Sequence, residues 1–175
     1  MFLAMKLSRS QQQYLLLGHC IVPCIINFIL NGLIGLAMFR GVSMVPVWGL
    51  ETSAGPDMLG TCFFLPAITC LIVTPIVRRH VRRSIVEPLP HSPGLPSWLA
   101  RFQRPLRTRA ALFGLTSLVL VGALVLVALG SVGLTELELT RFLWLKATFS
   151  AVLGAVITPF IGIVALADSA SERGT

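Results

Sequence analysis

Leu15 to Phe39 reads LLLGHCIVPCIINFILNGLIGLAMF, a run without a single formal charge. A soluble amphipathic helix of that length would show a charged or strongly polar face to water, and this stretch has none. A hydrocarbon core of roughly 30 Å is crossed by about 20 helical residues at about 1.5 Å rise each. The stretch is therefore long enough to span a bilayer. Lys6 and Arg9 precede it, as basic residues precede a secretory signal. Its length, the asparagines Asn27 and Asn31 at its middle, and the end Leu36-Ala37-Met38-Phe39-Arg40 without a small-x-small cleavage site predict instead that it is retained.

Outward from this run, the rest of the chain repeats the pattern. Charged residues leave gaps of 30 residues between Arg9 and Arg40, 20 between Asp57 and Arg78, 26 between Arg109 and Glu136, and 21 between Lys146 and Asp168. With 55% hydrophobic residues, 12% charged residues and a mean hydropathy of +0.85, the 175-residue chain is composed for lipid and not for water. Irregular backbone facing lipid would leave its amides unpaired, so the spans are expected to be helices. The expected fold is all-α: a single integral membrane domain, 1–175, forming a four-helix bundle with spans near 15–39, 58–77, 110–134 and 142–166.

Basic residues next to a span resist translocation. Eleven of the 14 (Lys6, Arg9, Arg78, Arg79, Arg82, Arg83, Arg101, Arg104, Arg107, Arg109 and Arg173) fall on one side, against Arg40, Arg141 and Lys146 on the other. The first side, with both termini and the loop 78–109, is expected to be cytoplasmic. The net charge of +7 is then a topology signal, and no nucleic-acid module fits in one short loop. That loop opens with Arg78-Arg79-His80-Val81-Arg82-Arg83 and breaks at Pro88, Pro90, Pro93 and Pro96. Ser97 then caps a segment expected to press Trp98 and Phe102 against lipid, with Arg101 beside them. Each juxtamembrane arginine contributes on the order of 1 kcal/mol toward an anionic leaflet, so the partners expected here are anionic headgroups or an acidic protein. The outer connection Gly41–Asp57 reads as an interfacial turn with Trp48 at headgroup level. Thr135 and Glu138 have capping-box spacing, which predicts a fourth helix starting near Glu136 and a tight hairpin of the third and fourth helices.

At about 100° per residue, Cys20, Cys24, Asn27, Asn31 and Gly35 share one arc of the first helix. An amide in hydrocarbon is costly unless paired, so this face is expected to look at other helices, with Thr69, Thr74 or Thr158 as partners. Pro75 and Pro159 free the carbonyls of Leu71 and Ala155 and are expected to kink the second and fourth helices. Ile72-Val73-Thr74-Pro75-Ile76-Val77 resembles Val156-Ile157-Thr158-Pro159-Phe160-Ile161, a hint of two hairpins related by an axis along the membrane normal. Ala147, Ala151, Gly154, Thr158 and Gly162 form a small-residue seam, able to pack within one chain or against a second copy. Lys146 is the one charge expected below the interface. It either snorkels outward toward Glu51, Asp57 or Glu138, or faces Asn27 and Asn31 as an anion or proton site.

Four helices and four cysteines invite comparison with the bacterial disulfide-forming quinone reductases. Those carry cysteine pairs in outer loops, whereas Cys20, Cys24, Cys62 and Cys70 fall inside spans and form no CxxC. His19, His80 and His91 supply no axial pair for haem. Nucleotide-binding glycine motifs, GxSxG and HExxH are absent from the sequence. No enzyme activity, cofactor or metal is expected.

The Asn-x-x-x-Asn of the first span (Asn27, Asn31), the Thr74-Pro75-Ile76-Val77-Arg78-Arg79 exit of the second, and Thr158-Pro159 in the fourth resemble small four-helix bacterial inner-membrane proteins. That resemblance implies location and architecture, and no activity. The expected role is a non-enzymatic accessory, assembly or interaction subunit, with a protein partner or a second copy beside it. The alternative is a small oligomeric transporter or channel lined by Asn27, Asn31, Thr74, Thr158 and Lys146.

Overall fold

The computed structural model describes residues 7–49, 52–89, 102 and 104–171. Four long helices dominate: α1 (Arg9–Met38), α2 (Ala54–Arg82), α3 (Leu106–Val132) and α4 (Leu139–Ser171), each apolar and long enough to cross a membrane. At about 1.5 Å per residue they run roughly 40–50 Å, beyond a core of roughly 30 Å. Their ends overrun the charge-free gaps, because Arg9 and Arg82 continue the helices instead of ending them. The outer faces are apolar throughout, with Leu120, Leu124 and Val127 of α3 all exposed. Such surface is stable against lipid and not against water, which fits a multi-pass membrane protein.

The helices alternate in direction. Leu15 and His19 lie against Gly162, and Gly35 lies against Leu143, so α1 and α4 are antiparallel. Asp57 meets Lys146 and Arg78 meets Asp168, so α2 runs parallel to α4. The beginning of α1, the end of α2, the beginning of α3 and the end of α4 therefore share one arginine-rich end. The main packing order is α1–α4–α2–α3. The expected tight hairpin of the last two helices is thus not formed: α3 packs on α2, because α4 is already flanked by α1 and α2.

Glu136 also does not start a helix. Glu136–Glu138 is a strand, β2, antiparallel to β1 (Met44–Pro46), with Val45 opposite Leu137. Thr135 is engaged by its carbonyl, which accepts from Val47 N–H at 2.8 Å, and Leu139 N–H donates to Ser43 O at 3.0 Å. This clasp joins the two hairpins at the end opposite the arginines. The pattern α1-β1-α2 followed by α3-β2-α4, with α2 and α4 central and parallel, has the two-fold form that the paired Thr-Pro segments suggest.

Each end has its own apolar core. Phe39, Val45, Met58 and Phe142 are among those buried at the strand end, and Val77, Val81, Phe113 and Ile161 among those at the arginine end. The loop after α2 contributes to the second core. Ser84 takes a left-handed φ of 57°, with Ser84 N–H donating to Val81 O and Ile85 N–H to His80 O, which turns the chain back. Val86 and Leu89 are buried, and Gln11 Nε2 donates to the carbonyls of Glu87 and Pro88 at 3.0 and 3.2 Å. Phe102, expected against lipid, instead stacks on Phe113 with centroids 4.4 Å apart. Trp98 and Arg101 lie outside the described residues.

Candidate functional site

Lys146 reaches Asp57, one of the three acids expected for it, and the pair is buried in the bundle. The lysine side chain is 2% exposed, and Nζ donates to Asp57 Oδ1 at 2.5 Å, with the Asp57 side chain 8% exposed. Gly35 permits this path: a Cβ there would stand 2.9 Å from Leu143 Cδ2 and 3.2 Å from Lys146 Cδ. The lysine stem therefore passes α1 closely on its way from α4 to α2. Asp57 sits in the first turn of α2, where the helix dipole favours a carboxylate. Its second oxygen, Oδ2, is buried without a hydrogen-bond partner among the described residues.

This ion pair closes one end of a groove of about 630 Å³ between α1 and α2, open along one side. Ile26, Leu30 and Ile34 of α1 face Phe64, Ile68 and Ile72 of α2, and Asn27, Asn31, Thr61, Thr69, Asp57 and Lys146 supply its polar atoms. The groove exists because α1 packs on α4 and not on α2. Gly154 lies directly beneath Asn27, and Gly32 within 3.6 Å of Ala147 Cβ, when a Cβ is placed on each glycine. The small-residue seam of α4 thus packs within the chain, against the face of α1 that carries the asparagines.

The amides pair differently from expectation. Asn27 Nδ2 donates to Pro23 O at 2.8 Å and Asn31 Nδ2 to Asn27 O at 3.1 Å, each to the preceding turn of the same helix. Thr158 likewise donates to Gly154 O at 2.6 Å, and Thr74 pairs with Cys70 Sγ at 3.7 Å. Both threonines are buried in the helix interface and neither lines the groove. The structure so brings together Asn27, Asn31 and Lys146, and leaves Thr74 and Thr158 apart. Both α2 and α4 run unbroken through Pro75 and Pro159, and α2 also through Pro66. An irregular turn also lies in α1: Tyr14–Ile21 is π-helical, and two residues on stands Pro23, which has no N–H to give to His19 O.

A second polar cluster closes the arginine end. Arg78 Nη2 reaches Asp168 Oδ2 at 3.0 Å, and Arg109, 1% exposed, donates to the same oxygen and to Arg104 O. One carboxylate of α4 thereby ties α2 to α3. The Arg78 side chain, still 33% exposed, is engaged by Asp168, while Arg79, Arg82 and Arg83 are exposed. Next to them Tyr14 Oη hydrogen-bonds His80 Nδ1 at 2.8 Å, and His19, buried, hydrogen-bonds Tyr14 O through Nδ1 at 3.3 Å. No group of three or more metal-ligating side chains occurs among the described residues.

Asp57 was among the acids expected near Lys146, whereas the burial of that pair and the Asp168–Arg109 pair escaped the sequence reading for one reason. A charge at the edge of an apolar run looks like a boundary, and only a partner about 60 to 90 residues away makes it interior, as the separations of 89 and 59 residues in these pairs show. No family model, curated protein or solved structure matches the chain.

Proposed function

We propose that this chain is a non-enzymatic multi-pass protein of the bacterial inner membrane, with the arginine-rich end cytoplasmic, whose accessory role is to hold a lipid-like guest in the lateral groove. The carrying observation is the groove itself: about 630 Å³, walled mainly by aliphatic and aromatic side chains, and open between two helices that lipid would surround. This volume lies in the range of small-molecule sites. Ile26, Leu30, Ile34, Phe64, Ile68 and Ile72 line the groove with hydrocarbon, which suits an acyl or alkyl chain. The exposed Arg79, Arg82 and Arg83 then anchor the cytoplasmic end on anionic headgroups.

The oligomeric transporter is the second reading, and the placement of Asn27, Asn31 and Lys146 on one groove favours it. Thiol accessibility separates the two. With an apolar guest, Asn27→Cys and Asn31→Cys stay silent to water-borne reagents in nanodiscs; a hydrated pathway makes them react. Gentle purification with native mass spectrometry is the accompanying test. A retained lipid at one per chain supports the groove reading, while a stoichiometric protein partner seated on α1 and α2 overturns it.

A further inference from the structure

The asparagines of the groove carry hydrogen-bonding capacity that the protein does not use. Asn27 and Asn31 each commit one amide N–H to the preceding turn of α1, at 2.8 and 3.1 Å. Each keeps a second N–H and the oxygen Oδ1. Neither Oδ1 has a hydrogen-bond partner among the described residues, and unlike Asp57 Oδ2 neither is sealed from the surface. Thr69, which lines the same groove, bonds to neither amide. Gly154 of α4 backs Asn27, with Nδ2 as the amide atom nearest to it, so the open part of that amide is turned away from α4, and both asparagines line the groove. Spare amide groups inside a span are surrounded by hydrocarbon and not by water, and there they call for a partner.

Charge and reach decide which polar group meets them. Lys146 and Asp57 cancel one another at the end of the groove, so no fixed charge is left over for an ionic guest. Asn27 and Asn31 stand one turn apart, roughly 5–6 Å between Cβ atoms. A hydroxyl oxygen is a single atom and meets one of them, and an ester accepts but cannot donate. A trans secondary amide carries its N–H and C=O on opposite sides, so it can donate to Oδ1 of one asparagine while accepting from the spare N–H of the other. We infer that the groove takes a fatty amide, a secondary amide with hydrocarbon on both sides, its amide bridging Asn27 and Asn31 and its chains lying between the apolar walls of α1 and α2. This rests on the lipid-guest reading and adds the polar group that the guest carries.

The test uses the full chain in phosphatidylcholine nanodiscs with three diazirine-bearing probes of one length: an N-alkyl fatty amide, the matching alkyl ester and the matching alkane. Labelled residues are mapped by mass spectrometry. The expected result is labelling of α1 and α2 groove residues by the amide about 10-fold above the ester, which lacks one hydrogen bond, and further above the alkane. Asn31→Leu removes one end of the bridge and should bring amide and ester to within about 2-fold. Gly60→Leu should abolish labelling by all three, since Gly60 lines the groove and a Cβ there meets nothing nearer than Phe64 Cδ2 at 4.0 Å. Equal labelling by amide and ester, or an amide preference that survives Asn31→Leu, overturns the bridge and keeps the groove as a chain site. Absence of groove labelling by any probe, or labelling that Gly60→Leu leaves unchanged, overturns the lipid-guest reading as well.

Discussion

Lys146 and Asp57 show how a charge is made tolerable in an apolar bundle. Neither could be buried alone, and removing one partner of such a pair costs about 3–5 kcal/mol because the other is left unmatched. Lys146→Met is expected to destabilise the protein by that order, and Asp57→Leu combined with Lys146→Met to recover most of it. Unfolding in mixed micelles monitored for the four variants of the cycle measures both; a double-variant loss equal to the sum of the two single-variant losses would show that the pair is not coupled. Ser84 offers a smaller case, since its φ of 57° is one that L side chains rarely hold. Ser84→Gly should stabilise by about 0.5 kcal/mol once the added freedom of the unfolded chain is set against the relief, and Ser84→Val should cost about 1–2 kcal/mol. Thermal midpoints of the two variants decide this.

Among the elements, α1 packs mainly on one neighbour, with Tyr14–His80 as its polar contact to α2. Its contact with α4 runs over Gly35, Gly32, Gly154 and Gly162, and a side chain at Gly154 would drive into the Asn27 amide. Gly154→Leu is expected to pry α1 from α4, at about 1–3 kcal/mol for an overpacked interface. A cysteine pair at Gly32 and Ala147 should then lose its crosslinking, which checks the loss directly. The spans themselves were legible because more than 20 uncharged residues have one stable conformation in lipid. The seam of α4 was legible from its spacing, but its partner was not, since small residues announce a close approach without saying to what. The strands were hidden for a different reason. Met44-Val45-Pro46 and Glu136-Leu137-Glu138 are three residues each, and a ladder that short is decided by the helices that deliver it and not by its own composition.

At the scale of the molecule, the two hairpins meet over α1–α4, α2–α4 and α2–α3, so the interface between them is larger than any contact within either. Coexpressed fragments divided in the loop between Leu89 and Phe102 are therefore expected to copurify from the membrane as one complex, and recovery of either fragment alone would contradict this packing. The number of long apolar helices, and the gathering of most arginines at one end of the bundle, were readable from the spacing of the charges. The groove was not, because it is a gap left by what α1 does not touch, and absence of contact has no sequence signature.

The packing order carries a consequence for biogenesis. Asp57 enters the bilayer on α2 and Arg78 follows it, yet their counterions, Lys146 and Asp168, belong to the last helix to leave the ribosome. Before α4 is added, the first hairpin has few contacts within itself, and the counterions that α4 brings to Asp57 and Arg78 are missing. The last helix thus carries the charges that complete both ends of the bundle, so a chain cut short before α4 would lack both closures at once.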